Sequence, residues 1–214
     1  MRIDRSGMPF IAGTLVPGVV LVALQQVSWA LPLVILSGFF CYFFRDPERH
    51  PPDDPSVVVA PADGRIVYVG EAEPAAAPKG EWLQVSIFLS PLDVHVNRTP
   101  VAGRITNINF QPGRFLPAYR DEASIENEHC EIWIEHNGEM IVCRQVVGIL
   151  ARRIVCRLTP GMKVVQGQRF GIMKFGSRMD VYIPRSAKIC TVSGDIVCGG
   201  ETILATLVSS GSKY

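Results

Sequence analysis

The residues with chemistry in them gather around one short tract, Lys174-Phe175-Gly176-Ser177-Arg178-Met179-Asp180. A serine hydroxyl is a weak nucleophile until a neighbouring base takes its proton. What distinguishes Ser177 is the glycine before it. Glycine permits the unusual backbone dihedral that lets the hydroxyl attack the carbonyl on its own N-terminal side. The ordinary reading of Gly-Ser is a turn. Here Phe170 and Ile172 lead in and Val181 and Ile183 lead out with strand-like alternation, which puts the serine at a strand junction inside a sheet domain. His95 lies in Ser90-Pro91-Leu92-Asp93-Val94-His95-Val96-Asn97-Arg98-Thr99-Pro100, and Asp63 in the turn Pro61-Ala62-Asp63-Gly64. Taken alone, a histidine among apolar residues is more often core than catalyst. The aspartate is most simply a turn former whose side chain bonds its own backbone.

The tract F-G-S-R-M-D-V-Y-I-P resembles the self-cleavage site of phosphatidylserine decarboxylase proenzymes, in the short form of that family. F-F-R-D-P-E-R from Phe43, S-P-L-D-V-H-V-N-R-x-P from Ser90, the polar loop from Gly113 to Glu128, and G-I-L-A-R-R-I-V-C from Gly148 are similar to the same family. The resemblance implies that Ser177 Oγ attacks the Gly176 carbonyl to give an ester. Elimination then splits the proenzyme into chains 1–176 and 177–214 and leaves Ser177 as a pyruvoyl cofactor, with no metal. That ketone forms a Schiff base with the substrate amine and accepts the electron pair left as carbon dioxide departs. The implied substrate is phosphatidylserine, an anionic aminophospholipid, and the product phosphatidylethanolamine.

His95 falls on the family's first histidine, and the matching aspartate, Asp63, belongs to its catalytic apparatus. The expectation is that Asp63 orients His95, and that Gly171, Gly176 and nearby N–H groups form an oxyanion hole. Long-form members carry a second histidine where this chain has Arg98, a side chain that cannot act as a base near neutral pH. A decarboxylase of a related serine lipid of the archaeal ether type is the nearest alternative. A non-catalytic carrier or scaffold domain of lipoyl-like fold is another; it calls for a lysine in a tight turn between repeat strands, where neither Lys163 nor Lys174 lies.

These groups need a frame. Glycine and valine recur in Gly161-x-x-Val164-x-x-Gly167 and, 33 residues on, in Gly194-x-x-Val197-x-x-Gly200, each followed by a short alternating strand. This is one β-hairpin unit used twice, similar to the hammerhead of lipoyl- and biotin-carrier domains, with Ser177 between the copies. Strand runs at 57–60, 65–69, 82–89, 131–135 and 140–147 complete an α+β, β-dominated, antiparallel fold.

Ahead of it, Ser6 to Phe44 is an uncharged run of 39 residues, broken at Gln25-Gln26 into halves of roughly 9–24 and 27–44. Arg2 and Arg5 precede it and Arg45 and Arg49 follow it. Positive charge at both ends predicts a helical hairpin that enters the membrane and returns, both ends cytoplasmic. The expected organisation is a membrane-associated hairpin with its exit segment over 1–50 and a catalytic domain over 51–214.

The formal charge is +1, so no nucleic-acid partner is expected. From Arg144 to Lys188 ten Lys and Arg face one acid. Within that basic stretch Arg152 and Arg153 are candidate phosphate ligands, since guanidinium presents a planar fork of donors. The six cysteines show no metal-ligand spacing and read as reduced, buried residues of a cytosol-facing protein.

Overall fold

A computed structural model describes residues 2–74, 77–117, 126–148, 154–174 and 176–208. Strand β1 (Arg2–Ile3) pairs antiparallel with β2 (Arg45–Asp46), closing the base of a hairpin of two helices, α1 (Met8–Ala23) and α2 (Val27–Phe43). Pro9 starts α1, where a missing N–H costs nothing, and Gln25 at φ 55° turns the chain between the helices. At 1.5 Å per residue the two helices are about 24–26 Å long, against a bilayer core of about 30 Å. The apolar stretch Arg5–Ala23, counted with its leading 3-10 turn, reaches 19 residues, long and apolar enough to cross a membrane. Val16, Val19, Trp29 and Ile35 face outward from the hairpin. The protein associates with the membrane through this surface.

The β domain is two copies of one unit. The first begins with β3 (Val57–Val59), β4 (Gly64–Glu71) and β5 (Trp82–Leu89). The second follows as β6 (Val96–Arg98), β7 (Gly103–Gln111), β8 (His129–His136), β9 (Glu139–Val147), β10 (Ile154–Cys156), β11 (Lys163–Val164) and β12 (Arg169–Met173). The chain then returns to complete the first with β13 (Ser177–Pro184), β14 (Lys188–Ile189), β15 (Ile196–Val197) and β16 (Ile203–Thr206). The large antiparallel sheet runs β11-β7-β8-β9-β13-β5-β4-β15, so its mirror point lies between β9 and β13. Two three-stranded sheets, β10-β12-β6 and β14-β16-β3, repeat the same relation.

The expected glycine repeat is there, Gly161, Gly167, Gly194 and Gly200 all having φ between 72° and 100°, but its strands do not pair as hairpins: β11 joins β7 while β12 joins β10 and β6, and β15 joins β4 while β16 joins β14 and β3. The structure adds a second repeat. Val57–Ile66 and Val96–Ile105 share Val, Pro, Gly, Arg and Ile at matching positions. Their backbones bond reciprocally, Val59 N–H to Pro100 O at 2.9 Å and Arg98 N–H to Pro61 O at 2.8 Å. Gly64 and Gly103 are required for the same reason in each copy. A Cβ on either would stand 2.2 or 2.3 Å from a carbonyl oxygen of the neighbouring strand, Phe88 or Glu135. Apolar side chains of both copies, Ile66, Val85, Ile87, Ile105, Ile132, Ile134, Met179 and Val181 among them, fill one core.

The cysteine reading needs amendment. All six are free, yet Cys130 and Cys143 alone are buried, and Cys190 is exposed where the short edge strand β14 leaves it uncovered.

The hairpin surface yields a direct test. Val19 and Ile35 are 58% and 64% exposed. Changing both to Asp opposes bilayer burial by about 2.5–3.5 kcal/mol each, without touching the β core. The double variant is expected to move from the membrane pellet to the supernatant; unchanged pelleting would remove the hairpin as the anchor.

Candidate active site

The chain crosses between the two copies twice, at 90–95 and at 174–176, and the two crossings touch. Met173 N–H bonds His95 O at 3.3 Å, and Gly176 N–H points at His95 Nε2 at 3.4 Å. Ser177 is the first residue of β13, paired with Leu89 of β5 on one side and Val147 of β9 on the other. It is fully buried, and its Oγ has no hydrogen-bond partner among the described residues. A buried hydroxyl without a partner carries a desolvation cost of about 1–3 kcal/mol. Gly176 has φ +74°, and a Cβ there would meet nothing within 4 Å. Backbone conformation, not crowding, is therefore what requires glycine before the serine.

The first crossing is a tight turn. Asp93 N–H bonds Ser90 O at 3.0 Å and Asp93 Oδ2 accepts from Ser90 N–H at 2.7 Å. This leaves the Asp93 carbonyl free to face His95 Nδ1 at 3.0 Å. A carbonyl only accepts, so Nδ1 carries the proton; a backbone N–H only donates, so Nε2 offers its lone pair toward the Gly176 peptide. The ring is buried, and Phe43 lies over it at 4.2 Å between centroids, 32° from parallel. Burial pushes the imidazole pKa down to about 4, outweighing the Asp93 carbonyl and carboxylate that pull it upward. His95 is thus a neutral base at physiological pH, aimed at the cleavage tract.

Asp63 is not what orients it. Asp63 Oδ1 accepts from Gly199 N–H at 2.7 Å and Oδ2 from Arg49 at 2.6 Å, while the backbone of Asp93 holds the histidine. Nor does Asp63 bond its own turn; it clamps the turn to Gly199, the residue before the second glycine of the repeat. Burial lifts its carboxyl above the usual range in spite of both partners. Arg98, where the long form has a histidine, is a buried tie: it donates to Asp46 at 3.0 Å, Pro47 O at 2.8 Å and Gly167 O at 3.1 Å. It binds the hairpin's exit segment to the β domain. Arg152 and Arg153 lie outside the described residues, as does Phe175.

The backbone donors expected for an oxyanion hole are committed. Gly176 N–H faces His95, and Gly171 sits in a central strand paired with Cys156 and Asn97. Two polar residues went unnoticed in the sequence. Asn97 and Gln145 are fully buried and bonded head to head, Gln145 Nε2 to Asn97 Oδ1 at 2.8 Å. The signal was available: Gln145 interrupts the apolar alternation Ile141, Cys143, Val147 on the core face of β9. Among the described residues no group of His, Cys, Asp and Glu is arranged to hold a metal ion.

Residues 36–205 match the family model described as phosphatidylserine decarboxylase. A phosphatidylserine decarboxylase proenzyme of Nitrosomonas europaea is 43% identical over 204 residues, 95% of this chain and 94% of its own length. The proenzyme of Desulfotalea psychrophila is 39% identical over 207 residues, covering 96% of this chain and 97% of its own. That of Pelodictyon phaeoclathratiforme reaches 47% over 183 residues, 83% of this chain and 85% of its own.

The state of His95 is measurable in uncleaved Ser177→Ala protein. Imidazole 15N shifts are expected to show the Nδ1–H form at neutral pH, with protonation only near pH 4. The unfolded chain takes up the same proton at about 6.5. It therefore binds more protons between these values, and folding stability falls by up to about 3 kcal/mol as pH drops through that window. Phe43→Ala opens the ring to water and is expected to raise the histidine pKa toward 6.5; an unchanged titration would mean that Phe43 does not set it.

Proposed function

The chain belongs to the phosphatidylserine decarboxylase family, and on that premise we propose that it cuts itself between Gly176 and Ser177 and then decarboxylates phosphatidylserine to phosphatidylethanolamine. One observation carries the residue assignment: a buried Ser177 hydroxyl, without a hydrogen-bond partner among the described residues, directly follows a peptide unit whose N–H faces the lone pair of a neutral histidine.

The maturation steps follow. His95 Nε2 takes the Ser177 Oγ proton as Oγ bonds to the Gly176 carbonyl carbon. The C–N bond breaks, the proton passes to the Ser177 nitrogen, and an ester remains. Removal of the Ser177 Cα proton breaks the Cβ–Oγ bond, so Gly176 leaves as a carboxylate. The dehydroalanine left at 177 takes up water and releases ammonia, becoming a pyruvoyl group. Position 177 suits that group, since it heads a strand held along both edges and closed off from solvent.

When formed, the pyruvoyl ketone supplies an electrophile for the substrate amine and a sink for the electron pair released with carbon dioxide. The protein's part is proton handling and placement. The substrate amine arrives protonated; neutral His95 takes a proton from it and returns one to the α-carbon after carbon dioxide leaves. Lys174, three residues before Ser177, stands 4.9 Å above the Phe10 ring of α1, which supports entry of an anionic headgroup from the hairpin side. Arg152 and Arg153 are retained as candidate phosphate ligands on the chemistry of their guanidinium forks. Residues 1–50 form the membrane unit and 51–214 the catalytic unit. The cytoplasmic face is supported by Arg2, Arg5, Arg45 and Arg49 flanking the hairpin.

Purified full-length protein is expected to yield two chains, 1–176 and 177–214, the shorter with a blocked N-terminus by intact mass. Ser177→Ala stays whole and inactive. His95→Ala slows cleavage by roughly 10²–10⁴. Asp63→Asn slows it less, because Asp63 bonds Arg49 and Gly199 instead of the histidine. A cut at the same bond in Ser177→Ala would overturn the mechanism.

A further inference from the structure

Self-cleavage at a peptide carbonyl places negative charge on the carbonyl oxygen, and a preorganised donor for that charge is commonly the largest single catalytic contribution. Among the described residues, the two backbone donors expected there are committed: Gly176 N–H is turned to His95, and Gly171 lies inside a three-stranded ladder. What the site does hold is a spare side-chain amide. With Gln145 donating to Asn97 Oδ1, Asn97 Nδ2 and Gln145 Oε1 are left without partners among the described residues, and both side chains are fully buried. Turning both amides over exchanges the roles and leaves a Gln145 N–H₂ unpaired instead. In either arrangement one amide donor is uncommitted.

Register puts it beside the scissile bond. Ser177 is opposite Val147 and Met179 is opposite Gln145, so Gln145 is the diagonal neighbour of Ser177 on the same face. Diagonal neighbours are about 7–8 Å apart, within reach of long side chains. Asn97, in β6, is opposite Gly171 and follows His95 by two residues. Gly171 makes room for the pair: a Cβ there would stand 3.1 Å from Gln145 Nε2 and 2.3 Å from Val155 O. An apolar core position has thus been given a primary amide, at a cost in desolvation, next to a serine hydroxyl that is also unpaired.

We propose that the Asn97–Gln145 amide pair donates the hydrogen bond that stabilises the Gly176 carbonyl oxygen as Ser177 attacks it. The role rests on the self-cleavage reading above and deepens it. The amides exchange no proton with the substrate; they hold the oxygen while His95 moves the proton.

The test separates this role from mere core packing. Replacing both partners of a buried pair by apolar groups of similar shape is nearly neutral for stability, whereas removing one strands the other. The double variant Asn97→Leu/Gln145→Met is expected to fold, by membrane recovery and protease resistance, yet to cleave about 10²–10³ more slowly than wild type. Gln145→Glu keeps shape and pairing but turns the Asn97 amide toward a carboxylate and sets negative charge beside the developing oxyanion; it is expected to be at least as slow. Should the double variant misfold, Gln145→Glu decides alone. Hydroxylamine, which cleaves esters and spares amides, locates the block: neither variant accumulates a hydroxylamine-sensitive bond. Cleavage within about threefold of wild type in Gln145→Glu, or a hydroxylamine-cut ester building up in either variant, overturns the proposal. So does normal cleavage with slow decarboxylation per mature molecule, which would make the pair a turnover device. An uncut wild-type chain would instead refute the self-cleavage reading itself.

Discussion

Strand β13 is hydrogen-bonded along both edges, and the rest of the molecule depends on that double ladder. Ser177 to Pro184 pairs with β5 over its whole length, and Ser177 to Tyr182 pairs with β9. The ladder fixes the serine backbone while the bond before it is broken. It also keeps the product in place: beyond β13 the short chain is stitched to the long one by β15 on β4 and by β16 on β3. A cut within a strand would leave paired groups unsatisfied in the core. The cut instead falls at the head of β13, on the bond that joins the crossing to Ser177, so the pairings from Arg178 onward stay in place.

The duplicated unit also explains where polarity is placed. Two matching copies fill most of the interior with matching apolar residues, and function resides where the match fails. Asp63 stands where the second copy has Ala102, and with it come Arg49 and Glu201 in one cluster. The crossings at 90–95 and 174–176 have no counterparts joined in that way, and they carry His95 and Gly176. Arg98, matched by Val59, is the other exception; its bonds to Asp46 and Gly167 lock the exit segment onto the second copy.

Much of this was legible beforehand. The glycine repeat, the uncharged run broken at Gln25-Gln26, and the alternation around Ser177 map onto matching turns, two helices and β13, because periodicity and glycine φ are local properties. The repeat of Val57–Ile66 in Val96–Ile105 was equally local and was overlooked, since a histidine segment and a turn motif drew attention to different residues. What no local pattern carries is which side chains meet. Asp63 and Arg49 are 14 residues apart, and Asn97 and Gln145 are 48. Their meetings follow from strand order in three sheets. The contact of the nominated histidine differs from the expected one for that reason: a carboxylate was expected, and a backbone carbonyl two residues away faces Nδ1.

The aromatic rings at the hairpin base have a consequence for when the enzyme becomes active. Phe10 stacks on Phe44 at 5.4 Å, Phe44 meets Phe43 edge-on at 5.0 Å, and Phe43 covers His95. The wall that keeps the imidazole dry is the last turn of a membrane helix and the residue that caps it. A newly made chain whose hairpin has not yet docked lacks that wall, so its base is hydrated and unplaced. Docking of the hairpin and placement of the imidazole are thereby coupled: the ring is covered only where the base of the membrane hairpin lies against the β domain.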